Sequence, residues 1–148
     1  LGGAFYATRL YRDLRQNEGL VYYVWSDFEM NQTRAVYQAE FGCDPQNVGR
    51  ARAIVVRNLT DMARKPVSPG ELHRAKALLL RTIPLSEAGV ETIALGFIRR
   101  TELDLPLDEP TRAAERYVKL TAEQVRAAFA RWIRPKDLAQ VIQGPAPR

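Results

Sequence analysis

The chain has 148 residues, of which 46% are hydrophobic and 26% are charged, and it carries a net charge of +5. This length and composition are typical of one globular domain with its own core. No apolar stretch approaches the roughly 20 residues that a transmembrane helix needs, which excludes a membrane span. The single cysteine, Cys43, excludes an internal disulfide and any metal site built from several cysteines, and it is predicted to be a small core residue.

The positive charge raises the question of nucleic-acid binding. The excess comes from arginines that stand singly along the predicted helices, however, and no basic run forms; these are Arg50, Arg52, Arg57, Arg64, Arg74 and Arg81. No motif for groove or single-strand binding accompanies them. A solvated surface is therefore the preferred explanation, and an acidic partner or an anionic peptide substrate is the alternative.

The first elements predicted are a helix and a β-hairpin. Apolar residues at three- and four-residue spacings predict an amphipathic helix over 4–17, and Gly19 stands where a left-handed helix cap belongs. Residues 20–26 are rich in aromatic and β-branched side chains, which indicates a strand. Residues 34–43 alternate in polarity, which indicates a second strand paired with the first across a polar turn. One face of this second strand carries Ala35, Tyr37, Ala39 and Phe41.

Helices are predicted to follow the hairpin. One apolar stripe indicates a helix from about residue 45 to 64. The members of that stripe are Val48, Ala51, Val55, Leu59 and Met62. Ser68 and Glu71 then form a capping box, which opens a helix toward Arg81. Pro84 is expected to end or kink this helix because proline cannot continue its hydrogen bonds.

The last third of the chain is predicted to hold two more helices and a strand. The first helix covers about residues 86–100, and a connection rich in proline and aspartate follows over 104–110. Thr121 forms a second capping box with Gln124, opening a helix to about Ile133. Residues 138–143 are predicted to form a closing strand.

These elements predict one α+β domain over residues 1–148, with helices packed against a mainly antiparallel sheet as a two-layer sandwich. Three strands make a thin sheet, so further strands are expected outside this sequence. An exposed edge of such a sheet can pair with another chain, and a homodimer formed through that edge is one expectation.

Residues for catalysis are sparse. A hydrolytic zinc site needs three protein ligands, usually including two histidines on one helix face. The chain has only His73, with no H-E-x-x-H or H-x-x-E-H pattern, and this histidine is predicted to be an exposed surface residue. A serine or cysteine triad lacks its partners for the same reason. The chain alone is therefore expected to bind no metal and to cleave no peptide bond.

Arg15 and Tyr22 are the candidate site residues. Arg15 is predicted to lie in the last turn of the first helix, and Tyr22 follows seven residues later at the start of the adjoining strand. A guanidinium and a phenol can both donate hydrogen bonds to a peptide carbonyl or to a developing oxyanion. Alternatively, Arg15 complements the helix dipole and Tyr22 packs on the sheet. The residues alone leave both interpretations open.

Three segments resemble a known family. The first 26 residues are similar to a segment of the C-terminal homologous domain of the pitrilysin family of zinc peptidases; they read LGGAFYATRLYRDLRQNEGLVYYVWS. This family includes insulin-degrading enzyme and mitochondrial processing peptidase. VSPGELHRAKALLL resembles the family's helix start after the hairpin. KLTAEQVRAAFARWIRP with LAQVIQGP resembles its final helix and closing strand. The resemblance covers essentially the whole chain in order.

The resemblance implies that two homologous domains face each other around a chamber and have different functions. One binds zinc through H-x-x-E-H and a distal glutamate. The other carries an arginine and a tyrosine seven positions apart, which contact the substrate near the scissile bond; here these are Arg15 and Tyr22. Tyr23 is one position off and is expected on the opposite strand face. The chain is thus expected to be a fragment of the second domain, cut before its first matched helix.

The resemblance also implies partners and a cofactor. The partners are a peptide substrate and the zinc-bearing domain or subunit; zinc belongs to the parent enzyme and not to this chain. The alternative is an inactive, peptidase-like scaffold that binds peptides or proteins without catalysis. Among bacterial locations, the resemblance slightly favours the periplasm over the cytoplasm, and the residues themselves do not decide between them.

Overall fold

The fold is described from a computed structural model, which covers residue 1 and residues 8–145. Its first helical segment consists of an α-helical turn, α1 (Arg9–Tyr11), that continues directly into a π-helix (Arg12–Asn17). Thr8 accepts a hydrogen bond from the Tyr11 amide and so caps the start. The helix predicted over 4–17 is therefore confirmed from residue 9 onward, and residues 4–7 lie outside the described part.

A two-stranded hairpin follows, made of β1 (Val21–Met30) and β2 (Ala35–Cys43). The Asn31 amide donates to the Arg34 carbonyl at 3.0 Å and closes the turn. This antiparallel pair confirms the predicted hairpin, with a first strand that is longer and a turn that is shorter than predicted. In β2 the side chains of Tyr37, Ala39 and Phe41 pack against the core, as the alternation predicts.

Five α-helices make up most of the remaining structure after a 3-10 turn at Pro45–Asn47. They are α2 (Val48–Arg64), α3 (Pro69–Ser86), α4 (Val90–Glu102), α5 (Glu109–Lys119) and α6 (Ala122–Trp132). Helices packed with an antiparallel hairpin place the protein in the predicted α+β class.

The described chain divides into two compact units. The first comprises the described residues within Leu1–Glu29, Ala35–Lys65 and Ala127–Arg148, and the second comprises Met30–Arg34 and Pro66–Arg126. The first unit contains a hydrophobic core. Its buried members are Leu10, Leu14, Leu20, Val21, Ala51, Ile54, Val55, Leu59 and Ile133.

Helix α2 supplies the largest part of this core because its apolar residues recur at helical spacing. Ala51, Val55, Leu59 and Met62 of the predicted stripe are all buried. Asn58 is the one buried polar residue of the described chain, and it donates to the Ile54 carbonyl and to Asp13 Oδ2, both at 3.0 Å. The polar side chain is therefore satisfied inside the core.

In the second unit, local interactions define where the helices begin. Ser68 Oγ accepts the Glu71 amide at 3.3 Å while the Ser68 amide donates to Glu71 Oε2 at 2.9 Å, which confirms the first capping box. The second box is confirmed in the same way, with the Gln124 amide on Thr121 Oγ1 at 3.2 Å. Between α3 and α5, the Lys76 ammonium donates to the Val118 carbonyl at 2.8 Å.

Three expectations need correction. Pro84 does not end α3, which continues to Ser86, and the next helix begins at Val90 and not near residue 86. Helix α5 is not predicted from the sequence, and it starts inside the stretch interpreted as a connection; its Pro110 lies in the first turn, where the missing N–H of proline costs nothing.

The predicted closing strand over 138–143 is wrong: these residues form no strand, and the described sheet contains only β1 and β2. A strand exists only where its backbone groups find a ladder partner. The local sequence of this segment cannot supply that partner.

Candidate functional site

The π-helix positions Arg15 at the end of the first helical segment. Leu10 and Leu14 anchor this segment, both with fully buried side chains. The Leu20 amide donates to the Leu14 carbonyl at 2.9 Å, and this closure requires the positive φ of 62° at Gly19, which confirms the predicted glycine cap.

Arg15 lies exposed beside the start of β1. Its Nη1 donates to the Val21 carbonyl at 2.8 Å, which connects the helix end to the strand. A guanidinium has five N–H donors, and this is the one hydrogen bond of Arg15 among the described residues. The side chain therefore keeps donors that an incoming acceptor can use.

Tyr22 stands next to that anchored backbone and is largely in solvent, with 62% of its surface exposed. Its hydroxyl donates to Asp44 Oδ1 at 2.6 Å. This hydrogen bond, together with the negative charge of Asp44, raises the pKa of Tyr22 above its ordinary value, and the nearby positive charge of Arg15 acts weakly in the opposite direction. The phenol therefore stays protonated, and remains a donor, throughout the neutral range.

Tyr23 projects from the other face of β1, as successive strand residues do. Its hydroxyl donates to Glu40 Oε1 at 2.8 Å, and its ring lies over Gly42, where an added Cβ would overlap the ring. Tyr22 instead shares its face with Val24, which packs against the core. The structure thus separates two neighbouring tyrosines that have nearly the same hydrogen-bonding pattern.

Arg15 and Tyr22 both lie at the start of β1, since Arg15 donates to the carbonyl of Val21, the residue that precedes Tyr22. Two exposed donors, one cationic and one neutral, therefore occupy the same end of the hairpin. Such a pair suits a carbonyl oxygen or an oxyanion, because both can accept two hydrogen bonds. The pair has no general base or nucleophile of its own and supplies only binding and charge stabilisation.

Asp44 is a member of this site that the sequence does not indicate. It stands where the chain turns from β2 into the 3-10 turn, and it is interpreted from the sequence only as the start of a helix. An Asp-Pro pair at a helix start ordinarily suggests capping. Its contact with Tyr22, 22 residues away, depends on the hairpin and is invisible in any local pattern.

Comparison with protein-family models places residues 1–79 in the peptidase M16 inactive domain family. The chain belongs to this family. The match contains both Arg15 and Tyr22 and confirms the resemblance to the C-terminal domain of pitrilysin-type peptidases. No match was found among curated protein sequences.

A solved structure of a peptidase M16 inactive domain from Pseudomonas fluorescens has the same fold, with a TM-score of 0.72 and 24% sequence identity. The similarity covers 91% of this chain and 32% of that one, so the chain spans about a third of the length of this relative. The fold of the M16 inactive domain is therefore shared over nearly all of the sequence.

The described residues do not fit a zinc site. His73 is exposed on α3, and no group of three or more His, Cys, Asp or Glu side chains in the described part could hold a metal ion. Cys43 is partly buried, and burial raises the pKa of its thiol, with the Asp44 charge adding to the effect. No helix of residues 8–145 is long and apolar enough to cross a membrane.

Part of the arginine charge is locally balanced. Arg50 pairs with Glu18, and Arg57 lies 3.6 Å from Asp13 Oδ2. On α5, Arg112 pairs with Asp108 at 2.9 Å. At these positions each basic group has an acidic neighbour, whereas nucleic-acid binding depends on clustered basic residues.

Proposed function

We propose that this chain is the substrate-binding, non-catalytic part of a zinc-dependent endopeptidase. In this proposal Arg15 and Tyr22 donate hydrogen bonds to the peptide near the scissile bond. Membership of the M16 inactive domain family supports the non-catalytic role, because it assigns the chain to a peptidase without giving it the catalytic centre. Zinc and the water-activating carboxylate belong to a second domain or subunit.

The observation that carries the proposal is the exposure of two hydrogen-bond donors at one end of the hairpin. Tyr22, the second residue of β1, is 62% exposed although Val24 on the same strand face packs against the core, and its hydroxyl is held only by the exposed carboxylate of Asp44. Arg15 uses one donor on the Val21 carbonyl. Neither side chain is needed to fill the core, so both are free to contact a substrate.

The chemical role of the pair follows from what it can donate. Attack on a peptide carbonyl moves negative charge onto its oxygen, and fixed donors stabilise that charge more than they stabilise the ground state. Arg15 contributes a permanent positive charge, and Tyr22 contributes a neutral O–H. The interaction therefore lowers the barrier to a reaction whose bond-making groups lie on the partner domain.

The test uses the full-length protein with its zinc-bearing domain or subunit and a fluorogenic peptide. Tyr22→Phe is expected to lower kcat by about 100-fold, the effect of removing one donor to an oxyanion, with little change in KM. Tyr23→Phe is the matched control because it removes an equivalent hydroxyl–carboxylate bond from the opposite face, and its kinetics should be those of the wild type. Unchanged kinetics for Tyr22→Phe would refute the role of Tyr22.

Tyr22 is a cleaner probe than Arg15. Because Arg15 also connects the helix end to the Val21 carbonyl, its substitution removes a structural hydrogen bond together with a substrate donor. A loss of activity in Arg15→Ala would therefore combine two effects.

The second candidate is an inactive scaffold that binds peptides without cleaving them. The absence of a fitting metal-ligand set among the described residues is compatible with it. The two candidates differ in the rest of the protein: an H-x-x-E-H motif in the same polypeptide or in a neighbouring coding sequence is required by the peptidase. Peptide binding without cleavage, and without this motif in either place, would establish the scaffold.

A further inference from the structure

The carboxylate of Asp44 is placed unusually for an aspartate at a helix start. It precedes Pro45 with an extended backbone (φ −62°, ψ 146°), the conformation of a capping residue, yet its side chain caps no backbone amide. Its backbone carbonyl accepts the Asn47 amide at 2.9 Å, and the side chain is used on Tyr22 instead. The local helix start thus forms without the carboxylate.

The bond from Tyr22 to Asp44 contributes little to the stability of the fold. Both side chains are exposed, and exposed polar pairs contribute little because water competes for the same groups. At 2.6 Å the bond is nevertheless short, as expected for a hydroxyl on an ionised carboxylate. Its main physical effect is to fix the orientation of an otherwise mobile phenol ring.

The ionisable groups that act on the phenol lie on three neighbouring segments. Asp44, at the start of the 3-10 turn, accepts its hydrogen bond, Cys43 ends β2, and Arg15 lies on the π-helix. Of these, Asp44 is the one that both holds the hydroxyl and favours its protonated form. A substrate carbonyl at this site would find the ring already in place and the proton still on the oxygen.

We propose that Asp44 is the positioning residue of Tyr22: in the free protein its carboxylate accepts the hydroxyl hydrogen bond and holds the phenol at the helix–hairpin junction, and on binding the one O–H of Tyr22 exchanges this bond for one to the substrate carbonyl. This inference rests on the proposed function. Asp44 itself contacts no substrate, and no covalent step passes through it. It lowers the entropic cost of orienting Tyr22 before the reaction, which is the general advantage of a preorganised donor.

A double-mutant cycle tests the inference in the full-length protein with its zinc-bearing domain or subunit. Asp44→Ala is expected to lower kcat roughly tenfold with KM nearly unchanged, because a ring that was not held in place beforehand must be ordered during the reaction. In the Tyr22→Phe background the same substitution should have no further effect, since the hydroxyl it orients is gone. Asp44→Asn, which keeps an acceptor oxygen, should restore most of kcat.

Glu40→Ala is the matched control because it removes the carboxylate partner of Tyr23 on the opposite face of β1, and it should leave kcat unchanged. Thermal melting of each variant, with melting temperatures within a few degrees of the wild type, separates positioning from folding. An Asn variant as impaired as the Ala variant would refute orientation through this hydrogen bond.

Two results distinguish the inference from the proposed function. If Tyr22→Phe lowers kcat and Asp44→Ala does not, or lowers it equally in both backgrounds, the positioning role is refuted while the substrate role of Tyr22 stands. If Tyr22→Phe leaves kcat unchanged, the proposed function fails and the positioning role fails with it.

Discussion

The two compact units of this chain differ in how their helices are stabilised. Every buried residue of the described chain, including Leu10, Leu59 and Ile133, belongs to the first unit. The second unit consists mainly of helices, and none of its described residues is buried. Many large apolar side chains are exposed there instead, among them Leu85, Val90, Leu95, Phe97, Ile98 and Leu107.

The difference shows that similar helices can be specified by different interactions. In the first unit, residues distant in sequence bury one another, so the hydrophobic effect dominates. In the second, the ends of α3 and α5 are determined by capping hydrogen bonds and by ion pairs a few residues apart. Such contacts contribute about 1 kcal/mol or less each, whereas a buried leucine contributes several times more.

The sharpest test of this comparison is the truncation of one leucine in each unit. Leu59→Ala removes a fully buried side chain and should lower the free energy of unfolding by about 2–5 kcal/mol. Leu95→Ala removes a side chain that is 57% exposed and should change it by less than about 0.5 kcal/mol. Urea denaturation of the 148-residue chain measures both. Equal losses would contradict the contrast between the units.

A smaller effect should follow from removing a cap in the second unit. Ser68→Ala deletes the hydroxyl that accepts the Glu71 amide and should destabilise α3 by about 1 kcal/mol, more than the loss of the Leu95 side chain in the same unit. Ser86 lies at the other end of α3, so Ser86→Ala is the control, with a change below about 0.5 kcal/mol.

Hydrogen exchange of the amides in the first turn of α3 reports the Ser68 effect directly. Protection that is unaltered in Ser68→Ala would show that the cap does not determine the start of this helix.

The smallest effect is expected for the pH dependence of stability that Tyr22 and Tyr23 of the first unit contribute. The Tyr22 pKa is raised by Asp44 and the Tyr23 pKa by Glu40, so in both cases the folded state favours the protonated phenol. Each hydrogen bond therefore stabilises the fold fully below the ordinary tyrosine pKa of 10.0, and this contribution is lost as the pH rises through the higher folded value.

NMR titration of ¹³Cζ-labelled tyrosine measures these shifts. In Asp44→Asn the Tyr22 pKa should fall toward its ordinary value, with Tyr23 unchanged as the internal reference. A Tyr22 pKa that stays the same in this variant would contradict the assignment of the shift to Asp44.

The sequence predicts the parts of the fold that depend on nearby residues. The stripe on α2, the capping boxes at Ser68 and Thr121, the glycine cap at Gly19 and the alternation in β2 all follow from local spacing. The strand predicted over 138–143 fails because pairing depends on a partner outside the segment. Helix α5 is missed although Ala113, Tyr117 and Val118 recur at helical spacing, because its start lies in the proline-rich stretch interpreted as a connection; ion pairs support it in the fold.

In the candidate site, too, the sequence predicts what depends on nearby residues and misses what depends on distant ones. Arg15 and Tyr22 are candidates through the family resemblance, and their positions at the helix end and the strand start follow from local structure. Asp44 does not, since the hairpin alone brings it to the Tyr22 hydroxyl. Contacts between residues distant in sequence are the part that only the folded chain provides.

The missing side chain at Gly42 influences which of two adjacent tyrosines lies on each face of β1. Tyr22 and Tyr23 are adjacent, and a slip of one residue in strand pairing would exchange the faces of the whole strand. The ring of Tyr23 fits over Gly42, whereas its neighbours Phe41 and Cys43 would present side chains in that position. The space above Gly42 thus favours the pairing register in which Tyr23 lies on the outer face of β2 and Tyr22 lies on the other face, at the strand start that Arg15 contacts.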